Sequence, residues 1–412
     1  MNFSQIDRKV DTAIGPHYPR VLLVNGAPIG QKSGIGALLV NLFRGWPQDR
    51  LAQIVPKGSD PDLSLCHNSF MFDGLYSATS GNPSGNITVK LKRKVASLRG
   101  YRLSLELQQW IGEYSPHVIY SYLEHPMITH MVTQLSRHLA VPAIPDLRDE
   151  WHLLPEGGSL AALWWFIRQE IDFRKIVKNA PFGMTTSDAM SLEYTKRYNR
   201  RFLTFMSCAD PSIYIPRQQS APSSKLRLIY TGAGPGLGRW PIIINLAKAV
   251  QDLHRSGSDI ELVAFVRREF YGDLPATGAG FVVSDFVDER TLADHLGVSD
   301  IAVLPEGFDS KSMKYARLSF SSKLPIYLMS GCCIMAIGPM QNNSIKYVSD
   351  NQLGVVLQDP SVQVLRAQLL DLYERRSHVA SFHTRNREFA LAHHSQPVVH
   401  EQLRILLNSV RK

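Results

Sequence analysis

The chain has 412 residues, 44% hydrophobic and 20% charged, and its 45 Lys and Arg against 36 Asp and Glu give a formal charge of +9. That length and balance exclude a disordered or fibrous protein and leave room for two or three domains with ample core. The positive excess favours anionic partners, among which nucleotide-sugars, anionic membranes and nucleic acids all qualify.

The opening, MNFSQIDRKVDTAIG, carries charge but no apolar core, so no signal peptide is expected. Arg20 to Asn25 reads as a first apolar strand. It runs into a glycine loop, Gly26-Ala-Pro-Ile-Gly30-Gln-Lys-Ser-Gly34-Ile-Gly36, and a helix from about Ile35 to Phe43. Gln31 stands where a phosphate-wrapping G-K-[ST] loop needs glycine, so this is a loop whose glycines, Gly34 and Gly36 among them, let backbone approach a substrate or acceptor. A plain strand-to-helix turn is the alternative. Asp60-Pro61-Asp62 sits in a turn-forming stretch and reads as turn chemistry rather than a metal pair. The run Lys90 to Arg99, with Tyr101 and Arg102 beyond, reads as a solvated helix with basic tips or as a surface for an anionic membrane. Strands follow at His117–Tyr120 and Val141–Ile144. Glu124 and His125 lie after the first of these, and Arg148-Asp149-Glu150-Trp151 after the second. Asp149 has the chemistry to orient an acceptor hydroxyl or take its proton. Arg148 could pair with Asp149 or with a phosphate, and a purely structural Arg–Asp pair is the rival. Phe182–Thr186 is a further strand, and Ser187 is placed to cap a helix over Asp188–Tyr198.

Pro211 to Lys225 is rich in Pro, Ser and Gln without apolar period and reads as a linker. The alternation then restarts at Leu226–Thr231. Strands at Ile260–Val266, Phe281–Val283, Ile301–Leu304, Ile334–Ile337 and Gly354–Leu357 predict a second parallel sheet. Helices over Val364–Glu374 and about Pro397–Leu407 close the chain. A second glycine loop runs from Thr231 to Arg239. It offers no dinucleotide fingerprint, since Leu237 or Arg239 falls on the third glycine position, and the next strand ends in Arg267-Arg268 rather than an acid. Its glycines, Gly232 and Gly234, and the Arg239 cation suit a diphosphate instead. The richest stretch is Ser299 to Gly338. Its apolar strand ends in Pro305-Glu306-Gly307-Phe308. Ser321-Ser322-Lys323 then opens a short helix that Gly331 stops. Glu306 can grip sugar hydroxyls, while Lys323 and a helix N-terminus can hold a diphosphate. Four cysteines without metal spacing fit a reduced, cytosolic protein, with Cys332 and Cys333 as core thiols.

Pro305, Glu306, Gly307 and Phe308, followed by Ser322, Lys323, Leu324, Tyr327, Leu328, Ser330 and Gly331, resemble the donor-binding half of the retaining family 4 (group 1) glycosyltransferases. Arg148-Asp149-x-Trp151 and Ser187-Asp188-Ala-Met190 with Tyr194 and Arg197-Tyr198 resemble motifs of the same family. Two departures stand out: Ile326 occupies the position of the usual ribose-binding glutamate, and Ser207 that of a usual asparagine. The resemblance implies a GT-B fold, α/β with two Rossmann-like domains facing across a cleft. It implies an acceptor domain over 1–213, a nucleotide-sugar domain over 225–388, and a final helix over 389–412 that crosses back. It implies sugar transfer with retention to a carbohydrate or lipid-linked acceptor, in polysaccharide, glycolipid or other glycoconjugate assembly. The nucleotide-sugar would be a co-substrate, with no cofactor and no metal. Asp149, Glu306, Arg239 and Lys323 would be catalytic. Gly232, Gly234, Gly307, Phe308, Ser322 and Leu324 would bind donor, and Gly34, Gly36 and Arg148 the acceptor or phosphate. The enzyme would be cytoplasmic, with the inner membrane face as a site of peripheral attachment. A sugar-nucleotide epimerase on the same fold and a non-catalytic partner subunit are rival readings. No nucleic-acid partner is expected, for want of any such motif.

Overall fold

The computed structural model describes residues 17–30, 33–72, 102–150, 160–216, 224–232, 234 and 236–410. The basic run from Lys90, Gln31 and Lys32, and Trp151 lie outside the described residues.

The first half forms a seven-stranded sheet, all parallel: β1 (Val21–Val24), β2 (Leu51–Pro56), β3 (Ser69–Phe72), β4 (Val118–Tyr122), β5 (Ala143–Leu147), β6 (Gly183–Thr185) and β7 (Phe202–Thr204), in the order 3-2-1-4-5-6-7. The second half forms six parallel strands: β8 (Leu226–Thr231), β9 (Ile260–Phe265), β10 (Phe281–Ser284), β11 (Ile301–Pro305), β12 (Cys333–Ile337) and β13 (Gly354–Leu357), in the order 10-9-8-11-12-13. Central strands of both sheets are buried along their whole length, as continuous apolar runs such as VLLV and IAVLP demand. In each sheet the order reverses between the first strand and the fourth, at β1/β4 and at β8/β11. That reversal opens a crevice at the strands' carboxyl ends.

Helices cover both faces of each sheet. In the first half they are α1 (Gly34–Phe43), α2 (Leu105–Tyr114), α3 (Pro126–Leu139), α4 (Leu160–Asn179) and α5 (Asp188–Tyr198). In the second they are α6 (Trp240–Arg255), α7 (Glu289–Gly297), α8 (Ser310–Ala316), α9 (Leu324–Met329), α10 (Asn343–Asp350), α11 (Val362–Glu374) and α12 (Arg376–His393). Ser187 caps α5 by accepting from the Met190 amide at 3.1 Å, as the sequence predicts. The last helix, α13 (Gln396–Ser409), packs on α1, and its Val399, Leu403 and Leu407 join the core of the first sheet.

Several contacts among the described residues tie the halves together. Arg44, at the end of α1, bonds Asp210 at 3.0 Å and Glu289, in the first turn of α7, at 2.9 Å. Buried Glu150 pairs with Arg197 at 2.8 Å, and Arg317 approaches its other oxygen at 3.6 Å. The Ser187 hydroxyl donates to the Leu318 carbonyl, and the Leu318 side chain packs in the first half's core. Ala209 and Ser395 pair as a parallel bridge, so the outgoing and returning segments run side by side.

Candidate active site

Each sheet has its switch point at the carboxyl ends of its strands, and Glu306, Arg239, Lys323 and Asp149 fall there. On the second sheet, β11 delivers Glu306, whose amide donates to Ile337 and fixes it against β12. The Glu306 carboxylate is almost fully buried and accepts from Arg239 Nη2 at 3.0 Å. Arg239 stands at the head of α6, brought there by the second glycine loop. A side chain on Gly307 would strike the Leu237 carbonyl at 2.3 Å, and one on Gly238, where φ is +65°, would strike Asp309. The loop after β8 and the loop after β11 therefore interlock only because both positions are bare backbone. Burial pulls the Arg239 guanidinium down, but Glu306 more than offsets this and the group stays firmly charged.

Lys323 is half-buried beside this pair, with its ammonium 5.7 Å from the centre of the Tyr230 ring. Burial first, and the Arg239 cation second, lower its pKa to about 8, against a smaller pull upward from Glu306. The Tyr230 hydroxyl is fully buried, has no hydrogen-bond partner among the described residues, and lies 2.0 Å from where a Cβ on Gly232 would stand. Tyr230 was not singled out in the sequence. Its signal was its place as the penultimate residue of the strand that feeds the glycine loop.

The helix start differs from expectation. α9 begins at Leu324, not at Ser322, and has only six residues. The Leu324 amide donates to the Ser321 carbonyl at 3.2 Å and its side chain is in the core. Pro325 supplies no N–H at all. Ser322 is exposed and does not cap the helix. What remains for an anion here is the pair of cations, not a cradle of amides. Phe308 is exposed beside buried Gly307. Gly234 touches the Phe270 ring. Ile326 packs half-buried against the core of the second sheet.

On the first sheet, Asp149 is exposed at the end of β5 and accepts from the Tyr122 hydroxyl at 3.3 Å. Its charge contributes to the field at Arg239, so the two edges meet. Tyr122 is held strongly protonated, first by burial and then by Asp149 and Glu124. Glu124 accepts from the Gly26 amide at 3.0 Å, pinning the first glycine loop, and burial pushes its carboxyl up to about 7. His125 caps α3 through Nδ1, and burial lowers it to about 4, so it is neutral at pH 7. Gly36 fits between the Pro28 and Gly30 carbonyls with no room for a Cβ, while Gly34 is exposed with open space around it.

Arg148 is a correction. It pairs neither with Asp149 nor with open solvent. Its Nε and Nη2 bond the fully buried Asp146 at 2.9 and 2.7 Å, and Nη1 bonds the Phe205 carbonyl at 2.6 Å. Tyr120 donates to the same Asp146 oxygen. With its donors committed inside the core, Arg148 cannot reach a phosphate. Asp62 likewise bonds Ser64 in its own turn.

No protein-family model matches the sequence, and no curated protein matches it. Solved structures do match. HepE from Anabaena, in complex with UDP and glucose, superposes with a TM-score of 0.63 at 12% identity, over 95% of this chain and 100% of that one. The fold is GT-B. A glycosyltransferase from Rickettsia africae matches this GT-B chain at TM-score 0.63 and 10% identity, over 96% and 100% of the two chains. WaaG, a glycosyltransferase involved in lipopolysaccharide biosynthesis, matches at 0.59 and 11%, over 93% and 99%. At these identities the likeness carries the GT-B architecture alone.

Proposed function

We propose that the chain is a metal-independent glycosyltransferase of the retaining family 4 type, moving a sugar from a nucleotide-sugar to an acceptor hydroxyl in glycoconjugate assembly. The observation that carries this reading is the Glu306–Arg239 ion pair beside Lys323, at the switch point of the second sheet and within the field of Asp149 across the cleft. Without donor, Glu306 and Arg239 satisfy each other. A diphosphate draws Arg239 toward itself together with Lys323, and Glu306 is released to accept from sugar hydroxyls. As the bond from the anomeric carbon to the phosphate oxygen breaks, its electron pair stays on the diphosphate. The two cations stabilise that charge, which is largest in the transition state. Asp149 orients the acceptor hydroxyl and takes its proton, and the attack occurs from the face the diphosphate leaves.

HepE holds UDP and UDP-glucose in its structures, which makes uridine nucleotides the first to try here. A thermal-shift screen with UDP, GDP, ADP and their sugar conjugates, on the wild type and on Lys323→Ala and Glu306→Ala, tests the reading. Saturating ligand at about 100 times Kd stabilises by about 2.7 kcal/mol. We expect one nucleotide to stabilise the wild type, Lys323→Ala to abolish the shift, and Glu306→Ala to lose the added effect of the sugar. Ile326, packed against the core at the position where the family usually carries a ribose-binding glutamate, favours a second reading, a non-catalytic partner on the same fold. Silence of the wild type toward every nucleotide would establish that reading instead.

A further inference from the structure

Tyr230 holds a hydroxyl that the ligand-free fold leaves unused. The residue is fully buried, and its oxygen has no hydrogen-bond partner among the described residues. A buried hydroxyl without a partner is costly, and native chains keep few. Its place in the fold supplies a reason. Side chains two apart on a strand share a face, so Tyr230 points the same way as position 232. The tyrosine reaches along the strand to Gly232, and only a bare residue there leaves room for the hydroxyl. β8 and β11 run in register, with Ala302 beside Ile229. Carried on to the strand ends, that register sets Pro305 beside Gly232. The hydroxyl thus comes level with the residue just before Glu306. Burial above all holds it protonated, with the Arg239 and Glu306 charges acting on it in opposite directions, so it stays a hydrogen-bond donor at neutral pH.

Glu306 is the partner it lacks. Among the described residues Arg239 is the one side chain that donates to this nearly buried carboxylate. The donor reading, on which this inference rests, moves Arg239 and Lys323 onto a diphosphate. That move strips Glu306 of its donor, and a buried carboxylate left alone is costly. We propose that Tyr230 is a positioning residue that takes over Glu306 when the diphosphate claims Arg239: its hydroxyl donates to one carboxylate oxygen and leaves the other for a sugar hydroxyl. No proton is transferred. In the ligand-free chain Arg239 occupies the carboxylate and the hydroxyl waits. In the complex both are satisfied, so Arg239 leaves without stranding a buried charge. Lys323 cannot serve instead. Its ammonium stands 5.7 Å from the Tyr230 ring centre and is claimed by the same diphosphate.

The test is a double-mutant cycle read by titration calorimetry. UDP, GDP and ADP are the probes, and the one that binds the wild type is carried through. Tyr230→Phe keeps the ring and its contact with Lys323 and removes one oxygen. Its ligand-free unfolding midpoint should equal or exceed that of the wild type, because an unpartnered hydroxyl has gone. Its nucleotide affinity should fall roughly tenfold. In the Glu306→Ala background the same substitution should change affinity by less than about twofold. A residue that only packs would not give that coupling. Wild-type silence toward all three nucleotides sinks the donor reading and this inference with it. Binding that Tyr230→Phe leaves unchanged overturns this inference alone. So does a tenfold loss that persists in the Glu306→Ala background, because the hydroxyl then serves the phosphate itself. A lowered ligand-free midpoint overturns it too, because the hydroxyl then has a partner before any ligand arrives.

Discussion

Lys323 is the residue whose chemistry is most sharply set by its surroundings. Burial and the Arg239 cation bring its pKa to about 8, so at pH 7 it is mostly charged and above pH 8 it is mostly neutral. A bound diphosphate favours the charged form. Binding must then take up a proton as pH rises through 8, and affinity for the nucleotide should fall up to about tenfold per pH unit above it. Titration calorimetry of the nucleotide in buffers of different ionisation enthalpy checks this. Lys323→Arg, charged throughout, should flatten the profile, and an unchanged slope would separate Lys323 from the phosphate. That Glu306, Arg239 and Lys323 meet was legible in the sequence, because Glu306 follows a strand end, Arg239 a glycine loop, and Lys323 heads the helix that leads to the next strand of the same unit, and parallel sheets collect such ends at one edge. The fate of Arg148 was less legible. It stands two residues after Asp146, hence on the same side of the strand, and that alternation was the available clue. Asp149 is the adjacent carboxylate, but it is exposed, whereas the buried Asp146 carboxylate needs a cation and takes Arg148.

The elements that build the site are held by contacts no motif encodes. The loops after β8 and β11 interlock through Gly307 and Gly238. Gly307→Ala should push the Leu237 backbone away, cost about 1–3 kcal/mol of stability, and move Arg239 out of reach of Glu306. Thermal unfolding and nucleotide titration together test it. Stability and affinity should both fall, whereas intact affinity would mean that the loop adjusts without moving Arg239. Strand and helix positions in the second half were legible because β8, β11 and β13 are short apolar runs bounded by turn residues. β2 was not expected from the sequence. Its LAQIVP carries Gln53 and Pro56, yet every residue is buried. Gln53 is satisfied inside, accepting from the Ile29 amide and donating to Ser69, so it reads as polar in sequence and behaves as core. α9 was misplaced by two residues because Ser322 looks like a cap, while the chain uses Ser321 and Ser344 to close that turn instead.

At the scale of the whole molecule, a buried histidine guards the joint between the halves. His394 stacks on Phe320, bonds the Tyr347 hydroxyl at 3.0 Å and lies against the Ser207 carbonyl, and burial lowers its pKa to about 4 from the ordinary 6.5. The unfolded chain therefore binds a proton between pH 6.5 and 4 that the folded chain refuses. Stability is full above 6.5 and is lost as pH falls toward 4, by up to about 3 kcal/mol for this one group. His125 adds a loss of the same sign. Thermal midpoints measured across that window should decline, and His394→Gln should make the decline shallower; an identical slope would show that His394 is not the titrating group. The same joint has a further consequence. Because the chain leaves the first half beside the point where it returns, at Ala209 and Ser395, everything between them is an insertion on a two-ply ribbon. Such a ribbon bends easily across its width and resists twisting, so the cleft should open and shut like a book on one spine, and the two termini of the inserted lobe are near enough to be stitched together without disturbing either half.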